Sequence, residues 1–312
     1  MSGSGVRGPG SGVPVGIVGD GVEDRGEVGD LRPHQTPDPG PRNSDGGRPG
    51  RCLILGCGVV GALVGNRLVD RGWTVVGSRR RPWARESGDP CPAFPVLAGS
   101  VLPVGPADAI LVAANPGIRR GRDNGVAALV TAARHRWPTT RLVLVSTTSL
   151  YGDAEGAGVT EDGPLGQDPE SQALRAIERA VEGHVDALVL RATALVGPTR
   201  TFARTRARAA RLAGTPLTIK GDPDRPFSYL HDDDLADLAA DALGGDLGTG
   251  ILNAACPHRL TVRAYYQQAA EGPLDVLGDG TDQPRRWIDA GRLWAQRPAY
   301  PWRVLDGPTR EG

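Results

Sequence analysis

The segment Arg51-Cys52-Leu53-Ile54-Leu55-Gly56-Cys57-Gly58-Val59-Val60-Gly61 decides how this chain is read. Cys52 to Leu55 is a short apolar run of strand type. The next residues repeat apolar side chains at Val60, Leu63, Val64 and Leu68, which is helical spacing. Between them stands Gly-x-Gly-x-x-Gly. A glycine motif that follows a strand and opens a helix has a mechanical reading. The first glycine permits a tight turn, the second lets the backbone approach a pyrophosphate, and the third lets helix and strand pack closely. The helix start supplies N–H donors and a positive dipole. Gly56, Gly58, Val59, Val60 and Gly61 are therefore candidate dinucleotide contacts.

The pattern continues outward on the C-terminal side. Thr74 to Gly77 reads as a second strand, Ala109 to Ala114 as another, Val126 to Ala133 as a helix, Arg141 to Ser146 as a strand and Ala187 to Leu190 as a further one. A helix is expected from Asp168-Pro169-Glu170, with Asp as cap and Pro in the first turn. This alternation predicts an α/β protein, a Rossmann-like doubly wound parallel sheet, with a small C-terminal substrate-binding portion drawn mainly from residues 196–312. Residues 51–312 form the expected NAD(P)-binding domain. Residues 1–50 hold 21 Gly and Pro, no aromatic residue and no amphipathic period, so a disordered tail is expected there.

An NAD-selective site carries Asp or Glu at the end of the second strand, to accept hydrogen bonds from the ribose 2′-hydroxyl. This chain reads Gly77-Ser78-Arg79-Arg80-Arg81 there. Guanidinium groups match a 2′-phosphate bidentately, so NADP is the expected cofactor, with NAD as the alternative and Ser78, Arg79 and Arg80 as the phosphate contacts.

The 312 residues carry 36 Lys+Arg and 36 Asp+Glu, a formal net charge of zero, which argues against duplex nucleic acid or an anionic membrane as partner. No apolar run approaches the roughly 18 residues of a membrane span. Cys52, Cys57, Cys91 and Cys256 have neither disulfide-framework nor zinc-site spacing, which implies a reducing, cytoplasmic setting. The five histidines form no HExxH-type pair, so no metal site is nominated. Asp232, Asp233 and Asp234 read as the acidic start of a helix rather than as a cation site.

Four pieces in order resemble the extended and atypical short-chain dehydrogenase/reductases, the NAD-dependent epimerase/dehydratase group. They are Gly56 to Gly61, Leu144-Val145-Ser146-Thr147-Thr148-Ser149-Leu150-Tyr151-Gly152, Leu190-Arg191 through Gly197-Pro198, and Phe227-Ser228-Tyr229-Leu230-His231-Asp232-Asp233-Asp234-Leu235-Ala236. The resemblance places Thr147 where the family's Ser/Thr hydrogen-bonds the reacting oxygen. It also implies a YxxxK pair on the following helix, but that helix reads Glu170-Ser171-Gln172-Ala173-Leu174-Arg175. Lys220 is the only lysine, so the chain contains no YxxxK at all.

Candidate acids are then Tyr151, which in the family more commonly anchors the turn, and His231, with Glu161 and Asp162 as loop carboxylates expected to be solvated. Arg200, Arg204, Arg208 and Arg211 recur at helical spacing and read as a solvated face or an anion clamp. Trp287, Trp294 and Trp302 are expected to pack the substrate portion. Ala192-Thr193-Ala194 stands where sugar-nucleotide members commonly carry Asn.

The expected function is an NADP(H)-dependent oxidoreductase or epimerase-like enzyme without the usual Tyr/Lys relay, acting on a small polar metabolite, anionic ones included. The alternative is a non-catalytic NADP(H)-binding or regulatory protein on the same fold. A homo-oligomer is left open.

Overall fold

Seven strands build the central sheet of the computed structural model, which describes residues 49–82, 90–99, 102–103 and 105–305. They are β1 (Arg51–Leu55), β2 (Thr74–Arg79), β3 (Val96–Ala98), β4 (Ala109–Val112), β5 (Arg141–Thr147), β6 (Ala187–Ala192) and β7 (Gly250–Ala254). Their spatial order is β3-β2-β1-β4-β5-β6-β7, and every neighbouring pair is parallel. The expected tail lies outside the described residues, except for its last two.

Parallel strands bury both faces, so their sequences read as continuous apolar runs. All four residues of β4 are fully buried, as are Cys52 to Leu55 of β1. Alternation then divides them between two cores. Cys52, Ile54, Ala109 and Leu111 face the helices α1 (Val59–Asp70) and α5 (Asp232–Gly244). Leu53, Leu55, Ile110 and Val112 face α2 (Val126–Arg136) and α3 (Pro169–Arg179). Each fully buried Leu or Ile contributes roughly 1.5–3 kcal/mol relative to exposure.

Helix α3 begins as the sequence implies: the Asp168 carboxylate accepts the Ser171 N–H at 3.0 Å and Pro169 occupies the first helical position. Helices α1 and α5 are further joined by Arg67, which pairs with Asp233 and Asp237 at 2.7 Å each. Away from the sheet, α4 (Thr201–Leu212) and α6 (Val262–Ala270) enclose a smaller core with Leu217, Ile219 and Val276. The last helix, α7 (Gly291–Gln296), packs Leu293 into the α1/α5 side.

Strands β3 and β7 are additional to the strands that the sequence predicts. No helix among the described residues is long and apolar enough to cross a membrane.

Candidate functional site

The chain leaves β1 to build β2 and β3 on one side, then returns to build β4 to β7 on the other. Such a reversal opens a crevice beyond the C-terminal ends of the two strands that flank it, β1 and β4. Both candidate halves of the site lie there.

The glycine turn follows β1, and its three glycines have three different environments. Gly56 has φ +89°, and a Cβ built on it would lie 2.3 Å from Ala114 Cα. A Cβ on Gly61 would lie 3.0 Å from Ile54 Cγ2, where helix and strand meet, whereas one on Gly58 would meet nothing within 4 Å. Open space thus faces the backbone at the start of α1. Gly58 is the N-cap residue and offers no side-chain cap, so the N–H groups of Val59, Val60 and Gly61 at the helix start have no helical acceptors. This cradle fits the pyrophosphate of a dinucleotide.

The end of β2 is tied to the same turn, since Gly56 N–H and Cys57 N–H both donate to Ser78 O, at 3.0 and 2.7 Å. Ser78 is buried, with its hydroxyl 3.4 Å from Ile54 O. Arg79 is half-buried, while the exposed Arg80 donates to Asn124 Oδ1 at 2.9 Å, on the approach to α2. Burial pushes the Cys57 thiol up to about 11, with Arg79 pulling the other way.

Beside this turn, a cavity of about 890 Å³ opens at the ends of β4, β5 and β6. Ala113 to Gly117, Leu144 to Ser149 and Ala192 to Leu195 form three of its walls. Thr147 is therefore in the cavity wall. Its hydroxyl accepts the Ser149 N–H at 3.2 Å and fixes the short turn after β5.

Arg200, Arg225 and Arg286 also line it, and Arg286 donates to Thr148 O at 3.2 Å and to Gly152 O at 3.1 Å. Nε of Arg200 and of Arg225 is buried with no hydrogen-bond partner among the described residues. Burial pulls the Arg225 guanidinium below its ordinary value, against the influence of Tyr266 and Asp222. Of the four arginines at helical spacing, only Arg200 reaches the cavity; Arg208 instead pairs with Glu271.

Tyr151 sits behind the cavity wall, 2% exposed. Its hydroxyl donates to Asn253 Oδ1 at 2.7 Å and accepts from Arg191 Nη1 at 2.7 Å. Burial raises its pKa, only partly offset by Arg191. Arg191 also forks onto Glu178, with Nη2 to Oε2 at 2.7 Å, and Glu178 accepts the Ser146 hydroxyl at 2.6 Å. A buried polar network thus runs from the cavity wall at Ser146 to Tyr151 and Asn253.

Glu161 belongs to this network rather than to solvent: it is 6% exposed and accepts the Asn253 N–H at 2.8 Å. That differs from the solvated loop expected, because β7 brings an otherwise unpaired backbone N–H against it. Asp162 is exposed as expected and pairs with Arg292.

His231 is the N-cap of α5, and its Nδ1 accepts the Asp233 N–H at 3.2 Å. His231, Asp232 and Asp233 cluster closely, but Asp232 accepts from Thr199 and Asp233 pairs with Arg67. Trp294 donates to Ala255 O, Trp302 packs against Tyr300 and Trp287 lies beside Arg259, all off the cavity lining. Asp168 and Glu170, which the sequence marks only as helix-start residues, do line it. Their positions at a helix start bordering a Ser/Thr turn were visible; that the turn and the helix start share a cavity was not.

Solved structures share this fold. UDP-glucuronic acid 4-epimerase from Bacillus cereus, in complex with UDP-glucuronic acid and NAD, superposes with a TM-score of 0.65 at 19% identity, over 82% of this chain and 95% of that one. The chain has the fold of the extended short-chain dehydrogenase/reductases. WbmH from Bordetella bronchiseptica, in complex with NAD+, gives 0.67 at 17% identity over 83% and 95%. dTDP-glucose 4,6-dehydratase from Bacillus anthracis, in complex with NAD, gives 0.65 at 16% over 82% and 93%. No protein-family model matches the sequence, and no curated protein matches it.

Proposed function

We propose that this protein is an NADP(H)-dependent oxidoreductase or epimerase-like enzyme that acts on an anionic small molecule. The observation that carries the reading is the cavity itself. It adjoins a glycine turn with open space at the start of α1, and its lining includes Thr147 and three arginines, Arg200, Arg225 and Arg286. At about 890 Å³ it is at the upper end of the roughly 300–1,000 Å³ of small-molecule sites.

Gly56, Gly58, Val59, Val60 and Gly61 would hold the cofactor's pyrophosphate, and Ser78, Arg79 and Arg80 its adenosine end. The lack of a carboxylate at the end of β2 favours NADP over NAD. When bound, the cofactor supplies reversible two-electron chemistry at its nicotinamide ring.

The chain's own residues do the rest. Thr147 orients the reacting oxygen by a hydrogen bond. Arg200, Arg225 and Arg286, all from residues 196–312, bind the anionic part of the substrate. Tyr151 holds the turn in place through Arg191 and Asn253. Nucleoside diphosphate sugars are the first substrate class to test, because the UDP-glucuronic acid epimerase shares this fold.

Calorimetric titration with NADPH and NADH, repeated on Arg79→Ala/Arg80→Ala, tests the cofactor. The expected result is NADPH-selective binding that the double substitution abolishes. Absence of binding by either nucleotide would overturn the reading and favour a protein without redox chemistry.

A further inference from the structure

NADPH differs from NADH by a single group, the 2′-phosphate, so the side chain that meets it sets the preference between them. A long exposed arginine meets a phosphate at a cost, because it gives up rotamer freedom on binding. Arg80 is exposed, yet its guanidinium is already held: Nη1 donates to Asn124 Oδ1 at 2.9 Å.

Asn124 is held in turn. Its Nδ2 donates to Asn115 O at 2.8 Å, and its backbone N–H donates to Pro116 O at 2.9 Å. These partners fix which way the amide points, since a carbonyl can meet only its NH2 group and a guanidinium only its oxygen. The amide also packs where glycine alone leaves room. Gly117 has φ +79°, and a Cβ built on it would lie 2.6 Å from Asn124 Nδ2. Asn115 follows β4 and Arg80 follows β2, the two neighbours of the strand β1 that carries the glycine turn. The chain of bonds from Arg80 through Asn124 to Asn115 therefore anchors the guanidinium between the ends of β2 and β4.

We infer that Asn124 is a positioning residue for cofactor selectivity, holding the Arg80 guanidinium ready for the 2′-phosphate of NADP(H). The inference rests on the NADP reading above. A bond through Nη1 leaves the Nε/Nη2 edge of the guanidinium for two phosphate oxygens, the paired geometry that arginine offers such groups. Fixing the side chain beforehand lowers the ordering cost of binding. Of the two residues that fit the space, only asparagine serves. Aspartate would accept from Arg80 but could not donate to Asn115 O, and its charge would oppose the phosphate.

The test titrates the full chain with NADPH and, separately, NADH, following nucleotide fluorescence. Asn124→Ala is expected to raise the Kd for NADPH by about 3- to 10-fold and that for NADH by less than about twofold. In an Arg80→Ala background the same substitution should change neither value, because a residue that acts through Arg80 then has nothing to position. Asn124→Asp, which keeps the size of the side chain, should abolish the preference for NADPH. Equal weakening toward both nucleotides, no weakening toward either, an Asn124→Ala effect that persists in Arg80→Ala, or a wild-type preference in Asn124→Asp would each overturn the role of Asn124 alone. A wild-type chain that binds NADPH no more tightly than NADH, or a preference that survives Arg79→Ala/Arg80→Ala, would overturn the NADP reading and this role with it.

Discussion

Gly58 and Gly56 separate two meanings of the same residue type. At Gly56 a side chain is excluded both by φ +89° and by Ala114, so Gly56→Ala should destabilise the fold as well as the turn. At Gly58 the backbone is extended and a methyl group meets no protein atom, so Gly58→Ala should leave stability unchanged or raise it by about 0.4–1 kcal/mol. The same methyl group would occupy the space reserved for the pyrophosphate, and NADPH binding should weaken at least tenfold in a titration. Unchanged binding would remove the dinucleotide reading of the turn. Arg225→Ala addresses the other end of the cavity. It should raise KM for an anionic substrate while leaving NADPH affinity unaltered, because this guanidinium faces the cavity from the segment after α4 and is remote in sequence from the glycine turn. The tight turn at Gly56 and the close packing at Gly61 were legible from spacing alone. The place of Arg225 in the cavity lining was not, since nothing in Asp224-Arg225-Pro226 distinguishes it from any other arginine in an Arg-rich chain.

Helix α3 shows what local chemistry fixes. Asp168 and Pro169 specify its start, and the cap is made as that pair requires. Asp168→Ala should cost about 1 kcal/mol, read from chemical denaturation. The pH dependence has a definite sign. The Asp168 pKa is depressed in the folded chain by its bonds to Ser171, so its contribution is present above the unfolded value near 3.9 and is lost as pH falls below it through the folded value. Wild-type stability should therefore decline more steeply than that of Asp168→Ala as the pH is lowered below about 4. Strands β3 and β7 mark where local signals end. Val96–Ala98 follows a proline-rich stretch and has three residues, and Gly250–Ala254 carries Gly and Asn, both poor strand formers. Each is a strand because a long neighbour supplies a ladder, β2 in one case and β6 in the other. The same pairing explains Glu161: its carboxylate is buried because β7 delivers Asn253, a residue no local pattern links to it.

The network of Ser146, Glu178, Arg191, Tyr151 and Asn253 joins β5, α3, β6 and β7, so its members act on the stability of the assembled sheet. Glu178→Ala would leave a buried guanidinium without its carboxylate, at a cost of about 3–5 kcal/mol in denaturant unfolding. Ligand linkage gives a second global measure. A cofactor at 100 times its Kd adds about 2.7 kcal/mol, so NADPH should raise the melting temperature more than NADH at equal concentration. Arg79→Ala/Arg80→Ala should erase that difference. The class of the fold, its parallel sheet, the glycine turn between β1 and α1 and the absence of a YxxxK pair were determined by the sequence alone. Periodicity, glycine spacing and the position of the single lysine are properties of the linear chain. The convergence of Thr147, Glu170, Arg200, Arg225 and Arg286 on one cavity arises from the crossover order of the strands. These residues span 140 positions, and their proximity follows from packing between distant segments, which no local period encodes.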